Sequence, residues 1–200
     1  MKIRAILLAT SLISSSAFAS TLNFDYVEAG YATVSFDDSR FDPKGLGLKL
    51  SKQVEENFLI KASYIGTSDS DDHDDYELGQ LYVGFGFLKQ LEGDKAIEIS
   101  PYYGKLKSDI EYTNNIRSNK SSYDTKAYGL EANYHFAFSE AVDMLVGAGY
   151  ERLEFDSESE NNTFYQVQLN YNFSKRFTFN FSHKNVKSYK NTGLNIRYNF

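Results

Sequence analysis

The chain has 200 residues, enough for one domain with a sizeable core, and it carries 21 basic and 27 acidic residues. Sixteen tyrosines and 16 phenylalanines accompany two prolines and no cysteine, which favours β-structure and excludes disulfide bonds and thiol chemistry. The acidic balance argues against nucleic-acid binding, because phosphate backbones are bound by lysine and arginine.

The amino terminus has the three parts of an export signal. Lys2 and Arg4 form a positive segment, Ala5 to Ile13 an apolar segment, and Ala17 to Ala19 a small-residue cleavage site. The apolar run is shorter than the ~20 residues that a membrane-spanning helix needs. We therefore predict that residues 1–19 are a cleaved signal peptide and that residues 20–200 form a single exported domain.

After the signal, apolar and polar residues alternate with the period of two that is typical of β-strands. The clearest example runs from Tyr165 to Phe173, where aromatic and aliphatic residues alternate with glutamine and asparagine. Pro101 weakens one of these strands, because proline cannot donate a ladder hydrogen bond. Ten strands are predicted near residues 24–36, 46–51, 58–64, 76–87, 97–104, 128–136, 142–150, 165–173, 177–182 and 192–200.

The connections between the predicted strands alternate between long polar loops and short turns. The longest polar stretch, Lys107 to Thr125, is predicted to be a large loop, and its length makes it the best candidate for recognition. Further polar loops are predicted at Asp69 to Asp75, Asp156 to Asn162 and Asn185 to Asn191. Long loops at one end and short turns at the other are typical of bacterial outer-membrane barrels.

Periodicity alone does not say which face of the strands points inward. In a soluble sandwich or lipocalin-like barrel the apolar face is inside, whereas in a membrane barrel it contacts lipid. The export signal, the tyrosines and phenylalanines on the apolar faces, the polar opposite faces and the loop asymmetry favour lipid outside. We predict an all-β fold, a closed antiparallel up-and-down transmembrane barrel of ten strands, with eight as the alternative count.

The carboxy-terminal strand carries a short motif. Asn191, Gly193, Ile196 and Tyr198 match the pattern polar-x-Gly-x-x-apolar-x-aromatic, and Phe200 supplies a terminal aromatic two residues beyond the best-fitting register. In this motif and in its strand pattern over residues 20–200, the chain resembles the small outer-membrane β-barrel proteins of Gram-negative bacteria, which include OmpA-like and OmpX-like barrels and small porins.

The resemblance implies that these five residues are an assembly signal. It also implies location in the cell outer membrane, contact with outer-membrane lipid and lipopolysaccharide, and handling by periplasmic chaperones and the barrel-assembly machinery.

The polar strand faces supply a set of charges expected inside the barrel. These are Glu28, Lys49, Lys61, Glu98, Glu131, Asp143 and Arg197. Because both signs occur, they are interpreted as paired charges that fill a narrow lumen, with a polar pore as the other interpretation. Ten strands give a barrel only slightly wider than the eight-stranded kind that side chains fill. We therefore expect a structural or surface-interaction role through the extracellular loops; the alternative is a narrow channel for passive transport of small solutes.

Two candidate sites for chemistry are weak. The acidic run from Asp69 to Asp75, with His73, lacks the glycine and the terminal glutamate of an EF-hand loop, so a solvated loop is the better interpretation. Outer-membrane lipid A deacylases place a serine two residues after a histidine, but Asn185 occupies that position after His183. We therefore predict no catalytic residue, no cofactor and no bound metal, and we leave any external ligand unnamed.

Overall fold

The computed structural model describes residues 22–36, 39, 41–71, 74–114, 117–156 and 158–200, so the predicted signal peptide lies outside the described residues. These residues form ten antiparallel strands that close into one barrel, which confirms the predicted class and strand count. No helix in the described part of the chain is long and apolar enough to cross a membrane. The strands are β1 (Tyr26–Phe36), β2 (Lys44–Glu55), β3 (Phe58–Asp71), β4 (Asp74–Leu91), β5 (Lys95–Asn114), β6 (Arg117–Ser139), β7 (Val142–Glu154), β8 (Ser159–Asn172), β9 (Phe177–Val186) and β10 (Tyr189–Asn199).

The last strand closes the barrel by pairing with the first. The register between β1 and β10 is continuous, from Tyr26 opposite Asn199 to Phe36 opposite Tyr189. Every other strand pairs with its neighbours in sequence order. The apolar terminal strand therefore has both edges covered, which removes the open edge that would otherwise invite aggregation.

The outer wall of the barrel is a continuous apolar band. Aromatic and aliphatic side chains point outward on every strand and remain about 40–70% exposed; examples are Tyr31, Leu46, Phe87, Leu130 and Phe138. On β6 the outward side chains of the band run from Tyr128 to Phe138, about 33 Å along the strand, which a tilt of about 40° reduces to about 25 Å. That height matches the hydrocarbon band of a transmembrane barrel.

The inner wall accommodates large rings next to glycines. Tyr82 lies opposite Gly104 on β5, and Tyr102 lies opposite Gly129 on β6. Phe164 lies opposite Gly149 on β7 in the same way. A Cβ atom added at any of these glycines would overlap the ring across from it. The glycines therefore let aromatic rings lie flat against the neighbouring strand inside a narrow barrel.

The predicted loops are wrong in one respect, because most of their residues belong to strands. β5 continues to Asn114 and β6 begins at Arg117, so the predicted loop from Lys107 to Thr125 is a β-hairpin. The predicted loops at residues 69–75, 156–162 and 185–191 are likewise shortened by β3, β4, β8, β9 and β10. Beyond the apolar band both faces of a strand contact water, so the sequence loses the alternation that identifies strands. We call this the hairpin end of the barrel and the opposite end the turn end.

Pro101 stays within β5, opposite Leu130 of β6. On the β4 side, the pairing with β5 is interrupted between the Gly84–Tyr102 pair and the Phe87–Ile99 pair. The missing N–H of proline accounts for this gap, so its effect is local and does not end the strand.

The glycine–aromatic contacts can be tested at Gly129. We expect Gly129→Ala to lower the free energy of unfolding by about 1–3 kcal/mol, because the new methyl group overlaps the Tyr102 ring. The measurement is urea-induced unfolding of the detergent-solubilised barrel. Gly47→Ala is the matched control, since a Cβ atom added at Gly47 would lie 3.7 Å from its nearest side-chain atom. Equal destabilisation by the two substitutions would contradict the interpretation.

Candidate functional site

The middle of the barrel interior contains a carboxylate–lysine cluster from three strands. Lys61 on β3 donates to the carboxylates of Glu98 on β5 and Glu131 on β6, with 2.6 Å between its Nζ and Glu131 Oε1. His135 Nε2 lies 2.9 Å from the other oxygen of Glu98, and the Ser100 hydroxyl donates to Glu98 as well. One ammonium thus bridges two carboxylates across the lumen.

A second charged group spans the seam where the barrel closes. Glu28 on β1 lies directly opposite both Arg197 on β10 and Lys49 on β2. The Arg197 guanidinium donates twice to one Glu28 oxygen, at 2.9 and 3.0 Å, and Lys49 Nζ lies 3.0 Å from the other. The ring of Tyr26 packs against the guanidinium, 3.8 Å from its central carbon to the ring centroid. The closing strands are therefore joined inside the barrel by an ion triad.

Asp143, the remaining predicted interior charge, is held by amides. Asn170 and Asn172 donate to its two carboxylate oxygens at 2.5 and 2.9 Å. Asn180 donates to Asn170 Oδ1, and Asn195 donates to Asn180 Oδ1, which extends the network across β8, β9 and β10. All seven charges predicted to face inward therefore lie in the barrel interior, joined by three local networks.

A fourth group was missed by the sequence reasoning. Glu151 is fully buried and accepts hydrogen bonds from the hydroxyls of Tyr102 and Tyr189, both at 2.7 Å. Lys184 Nζ lies 3.5 Å from the same carboxylate and 4.0 Å from the centroid of the Phe164 ring. These residues share the inward alternation of the predicted set, so extending that alternation to the strand ends identifies them.

Apolar side chains close the interior at the hairpin end. This hairpin-end cluster is fully or nearly fully buried, and partly buried residues such as Phe36, Ile65 and Leu106 pack against it. Its members all come from the strands of the barrel wall. They are Val34, Leu78, Ala127, Leu153, Phe164, Val186 and Tyr189. At this end the inward faces of the strands therefore combine apolar side chains with the buried Glu151 group, whose partners Phe164 and Tyr189 belong to the cluster.

A second apolar group closes the turn end. This turn-end cluster consists of Leu22, Phe24, Leu59, Leu88 and Ala96, and its first two members precede β1. The Phe24 ring packs edge-on against His135, with 5.1 Å between centroids. Asp25 anchors the segment, since its carboxylate accepts hydrogen bonds from Lys52 Nζ at 2.7 Å and from the backbone N–H of Gln53 at 2.6 Å. The segment before β1 thus folds into the barrel mouth.

Inside the barrel lies a cavity of about 240 Å³ that both apolar and charged side chains line. Lys61, Glu98, Glu131, Asp143 and Arg197 are among the residues that line it. This volume is enough for about eight water molecules at roughly 30 Å³ each, and the two buried apolar clusters lie towards opposite ends of the barrel.

The other sequence candidates are dispersed. Ser182 accepts a hydrogen bond from Lys49 at 3.4 Å. The next residue, His183, points to the other face of β9, where its Nδ1 lies 2.9 Å from the hydroxyl of Thr192 on β10. In the acidic run, Asp71 pairs with Asp74 near the tip of the β3–β4 hairpin, while Asp72 and His73 lie outside the described residues. Across the part of the chain that the structure describes, no three His, Cys, Asp or Glu residues are grouped to hold a metal ion.

The residues of the predicted assembly signal lie on or directly after the closing strand. Asn191 donates to Gln80 at 3.2 Å inside the barrel, and Gly193 leaves room for the Ser182 hydroxyl. Ile196 is exposed on the outer wall, and the Tyr198 and Phe200 rings lie 6.5 Å apart. The Phe200 amide donates to Asp25 O at 3.1 Å. The use of these residues in assembly stays a prediction.

The bridging lysine can be tested by its removal. We expect Lys61→Met to lower the free energy of unfolding by about 3–5 kcal/mol, because it leaves Glu98 and Glu131 buried without their shared cation. Urea-induced unfolding in detergent measures the effect, and Lys89→Met, at an exposed lysine of β4, is the control. Adding Glu131→Gln to Lys61→Met should recover part of the loss. Unfolding of Lys61→Met at the urea concentration of the control would refute the bridging role.

Comparisons with known proteins agree with this architecture. The family model described as the outer membrane protein beta-barrel domain matches residues 5–200, and no curated protein matches the chain. The translocator domain of autotransporter NalP from Neisseria meningitidis is similar at 12% identity and a TM-score of 0.53, covering 98% of this chain and 93% of that one. The beta domain of the Bordetella autotransporter BrkA has 8% identity and a TM-score of 0.51, with 88% and 98% covered. Ail, the attachment invasion locus protein of Yersinia pestis, has 18% identity and a TM-score of 0.46, with 90% and 100% covered. At their low identities the NalP and BrkA matches show the fold alone, whereas the family model spans nearly the whole chain: the protein belongs to the outer-membrane β-barrel family.

Proposed function

We propose that this outer-membrane protein acts at the cell surface, where the sheet that projects beyond the membrane binds an extended segment of a partner. The longer hairpins of such barrels face the exterior. Above the exposed Tyr103–Tyr128 pair, β5 and β6 remain paired from Gly104–Ala127 to Asn114–Arg117, about 30 Å of further sheet. β3 and β4 extend beside them to the Asp71–Asp74 pair.

The observation that carries the proposal is an open strand edge. β6 pairs with β5 from Arg117 onward, but its pairing with β7 begins only at Lys126, opposite Glu154. Within the described ranges, no strand pairs with the other edge of residues 117–125. Such an edge presents backbone N–H and C=O groups that an extended peptide can pair with, which is strand addition.

The backbone direction along this edge follows from one hydrogen bond. The Ala137 amide donates to Asp94 O at 3.0 Å, and the β5–β6 register is unbroken from there to Arg117. Because successive residues of a strand direct their backbone groups to opposite sides, odd-numbered residues of β6 face β5. Even-numbered residues, namely Lys120, Ser122 and Asp124, direct theirs to the open edge.

The side chains around the edge supply the means for selectivity. Tyr112 and Tyr123 are 44% and 56% exposed, and large exposed rings of this kind are enriched at protein interfaces. On the other face the Ser122 hydroxyl donates to Asp109 at 2.5 Å, and Lys107 and Lys120 lie 3.4 Å from the same carboxylate. That hydrogen bond and the two lysines hold the pKa of Asp109 below its ordinary value. The surface thus combines exposed rings, fixed charges and a free backbone edge.

Strand addition can be tested with a proline at the edge. We expect Ser122→Pro to lower binding of library-selected extended peptides at least tenfold, since it removes one edge N–H and leaves the β5 ladder intact. The native barrel in nanodiscs is used to select the peptides from a displayed library. Binding is measured by titration, and amide exchange should slow at Lys120, Ser122 and Asp124 when peptide is bound.

Ser122→Ala is the matched control, because it loses the same hydroxyl contact with Asp109 but keeps the edge N–H. Peptides that bind Ser122→Pro as tightly as Ser122→Ala would exclude strand addition at this edge.

The alternative function, passive transport, requires a continuous lumen. Because a buried apolar cluster lies towards each end of the lumen, we expect no single-channel steps from the native protein in planar bilayers. Leu22→Gly/Phe24→Gly should also give no steps, since the hairpin-end cluster remains. Reproducible steps from the native protein would favour the channel over the closed barrel.

A further inference from the structure

The outer side chains along the open edge of β6 are complementary to a second copy of themselves. They are Lys120, Ser122 and Asp124, and all three are exposed. The strands of an antiparallel pair run in opposite directions, so a second copy of this edge presents the same side chains in reverse order. When the two Ser122 residues lie opposite each other, Lys120 of each chain lies opposite Asp124 of the other.

This register continues a charge pattern that each chain already contains. On β5, Glu111 lies opposite Lys120, and Lys107 lies opposite Asp124. Pairing two edges about Ser122 therefore forms a row of alternating sign: Glu111 and Lys120 of one copy, then Asp124 and Lys107 of the other. Opposite charges directly across neighbouring strands stabilise a sheet. The row occurs twice, once on each side of Ser122.

Other registers of the same edge lack these charge pairs. A pair centred on Lys120 or on Asp124 places like charges opposite each other, which destabilises a sheet. A pair centred between Lys120 and Ser122 leaves the lysine opposite a serine. A pair centred on Tyr123 places Lys120 opposite Lys126, where β7 already covers the edge. The charges therefore select the register centred on Ser122.

The backbone groups of the edge fit the same register. Because even-numbered residues direct their backbone groups to the open edge, each Ser122 can donate its N–H to the Ser122 carbonyl of the other copy. Lys120 and Asp124 exchange hydrogen bonds in the same way on either side, which gives about six in total. The ladder covers residues 119–125 of both copies and ends at Lys126, which pairs with Glu154.

The other face of the edge supplies an apolar contact. Tyr123 is 56% exposed and lies opposite Ser121 of the second copy in this register. The two Tyr123 residues are then diagonal neighbours across the pair, a separation that aromatic side chains can bridge. Contact between the rings removes apolar surface from water.

The direction of the strands determines where the second copy is. A two-fold axis through Ser122, perpendicular to the sheet, reverses β6 and the barrel axis together. Two barrels in one membrane have β6 strands that run in the same direction, so they cannot form this antiparallel ladder. Two barrels in membranes that face each other can form it. The projecting sheet of each copy then lies above the shorter strand β7 of the other.

We propose that the partner at the β6 edge is a second copy of this chain in an opposing membrane, bound by antiparallel pairing of the two edges. This inference rests on strand addition, the proposed function, and names its partner. Many copies in each of two facing membranes strengthen the attachment, because each pair that forms raises the effective concentration of the next.

Charge exchange tests the pairing. The full barrel is placed in nanodiscs labelled with a donor or an acceptor fluorophore, and energy transfer between discs measures association. Lys120→Asp places two aspartate pairs at the contact, and Asp124→Lys places two lysine pairs there. We expect each variant alone to associate at least tenfold more weakly than the native protein, whereas a mixture of the two should associate within about threefold of it.

Two controls accompany the exchange. Glu77→Lys, at an exposed carboxylate of β4 two strands away from the edge, should associate as the native protein does. Amide protection along β5 and β6 in each variant confirms that the hairpin is formed. Ser122→Pro removes the central N–H of both copies and should abolish association, whereas Ser122→Ala should retain it.

Restored association in the mixture, with none in either variant alone, supports the proposal. Association of either variant at native strength, or no association in the mixture when both hairpins are formed, would overturn it. The failure of strand addition itself is distinguishable, since selected peptides would then bind Ser122→Pro as tightly as Ser122→Ala. Peptides that require the native edge, together with native discs that stay apart, would reject the second copy as the partner and leave strand addition standing.

Discussion

The closure of β10 on β1 is the constraint on which the rest of the structure depends. Within hydrocarbon no water can pair with the backbone groups of an open edge, and each unpaired group costs several kcal/mol. The ion triad of Glu28, Lys49 and Arg197 joins β1 to both of its neighbours inside the barrel. A one-residue slip of either strand would turn these charges towards lipid. The triad therefore fixes the register in which the barrel closes.

A barrel closed with ten strands has a narrow lumen that side chains largely fill. The type of side chain inside it changes along the barrel axis. In the middle, Lys61 on β3 pairs with the carboxylates of Glu98 on β5 and Glu131 on β6. Towards the ends the charges give way to apolar clusters, which need no directional partner. At the turn end Leu22 and Phe24, which precede β1, pack into the apolar cluster. The interior thus combines buried ion pairs with apolar clusters around a central cavity.

The sequence predicted those parts of the fold in which one strand face contacts lipid. There the alternation around Tyr165 to Phe173 is unambiguous, and the strand count, the closure and the inward position of Glu28 or Lys61 follow from it. The hairpin above Tyr103 and Tyr128 was missed, because both of its faces contact water and polar residues occur at every position. Glu151 was missed because it lies one residue beyond the predicted strand at 142–150, whereas Val34 lies within the predicted first strand but is an apolar residue on its inward face. Cross-strand pairs such as Glu111–Lys120 require a register that no single strand contains.

β5 and β6 run through two different environments. Below Tyr103 and Tyr128, β5 and β6 pair with each other at every position and their outer faces are apolar; above, β6 pairs with β5 alone from Arg117 to Thr125 and carries charged pairs on its outer face. Lys126 marks the change, because β7 covers the edge of β6 from that residue towards the turn end. The backbone groups of a free edge can pair with any extended chain, so they give affinity without selectivity. The charges beside the edge therefore decide which strand is accepted, and their alternation in sign favours a strand that carries the same charges in reverse order.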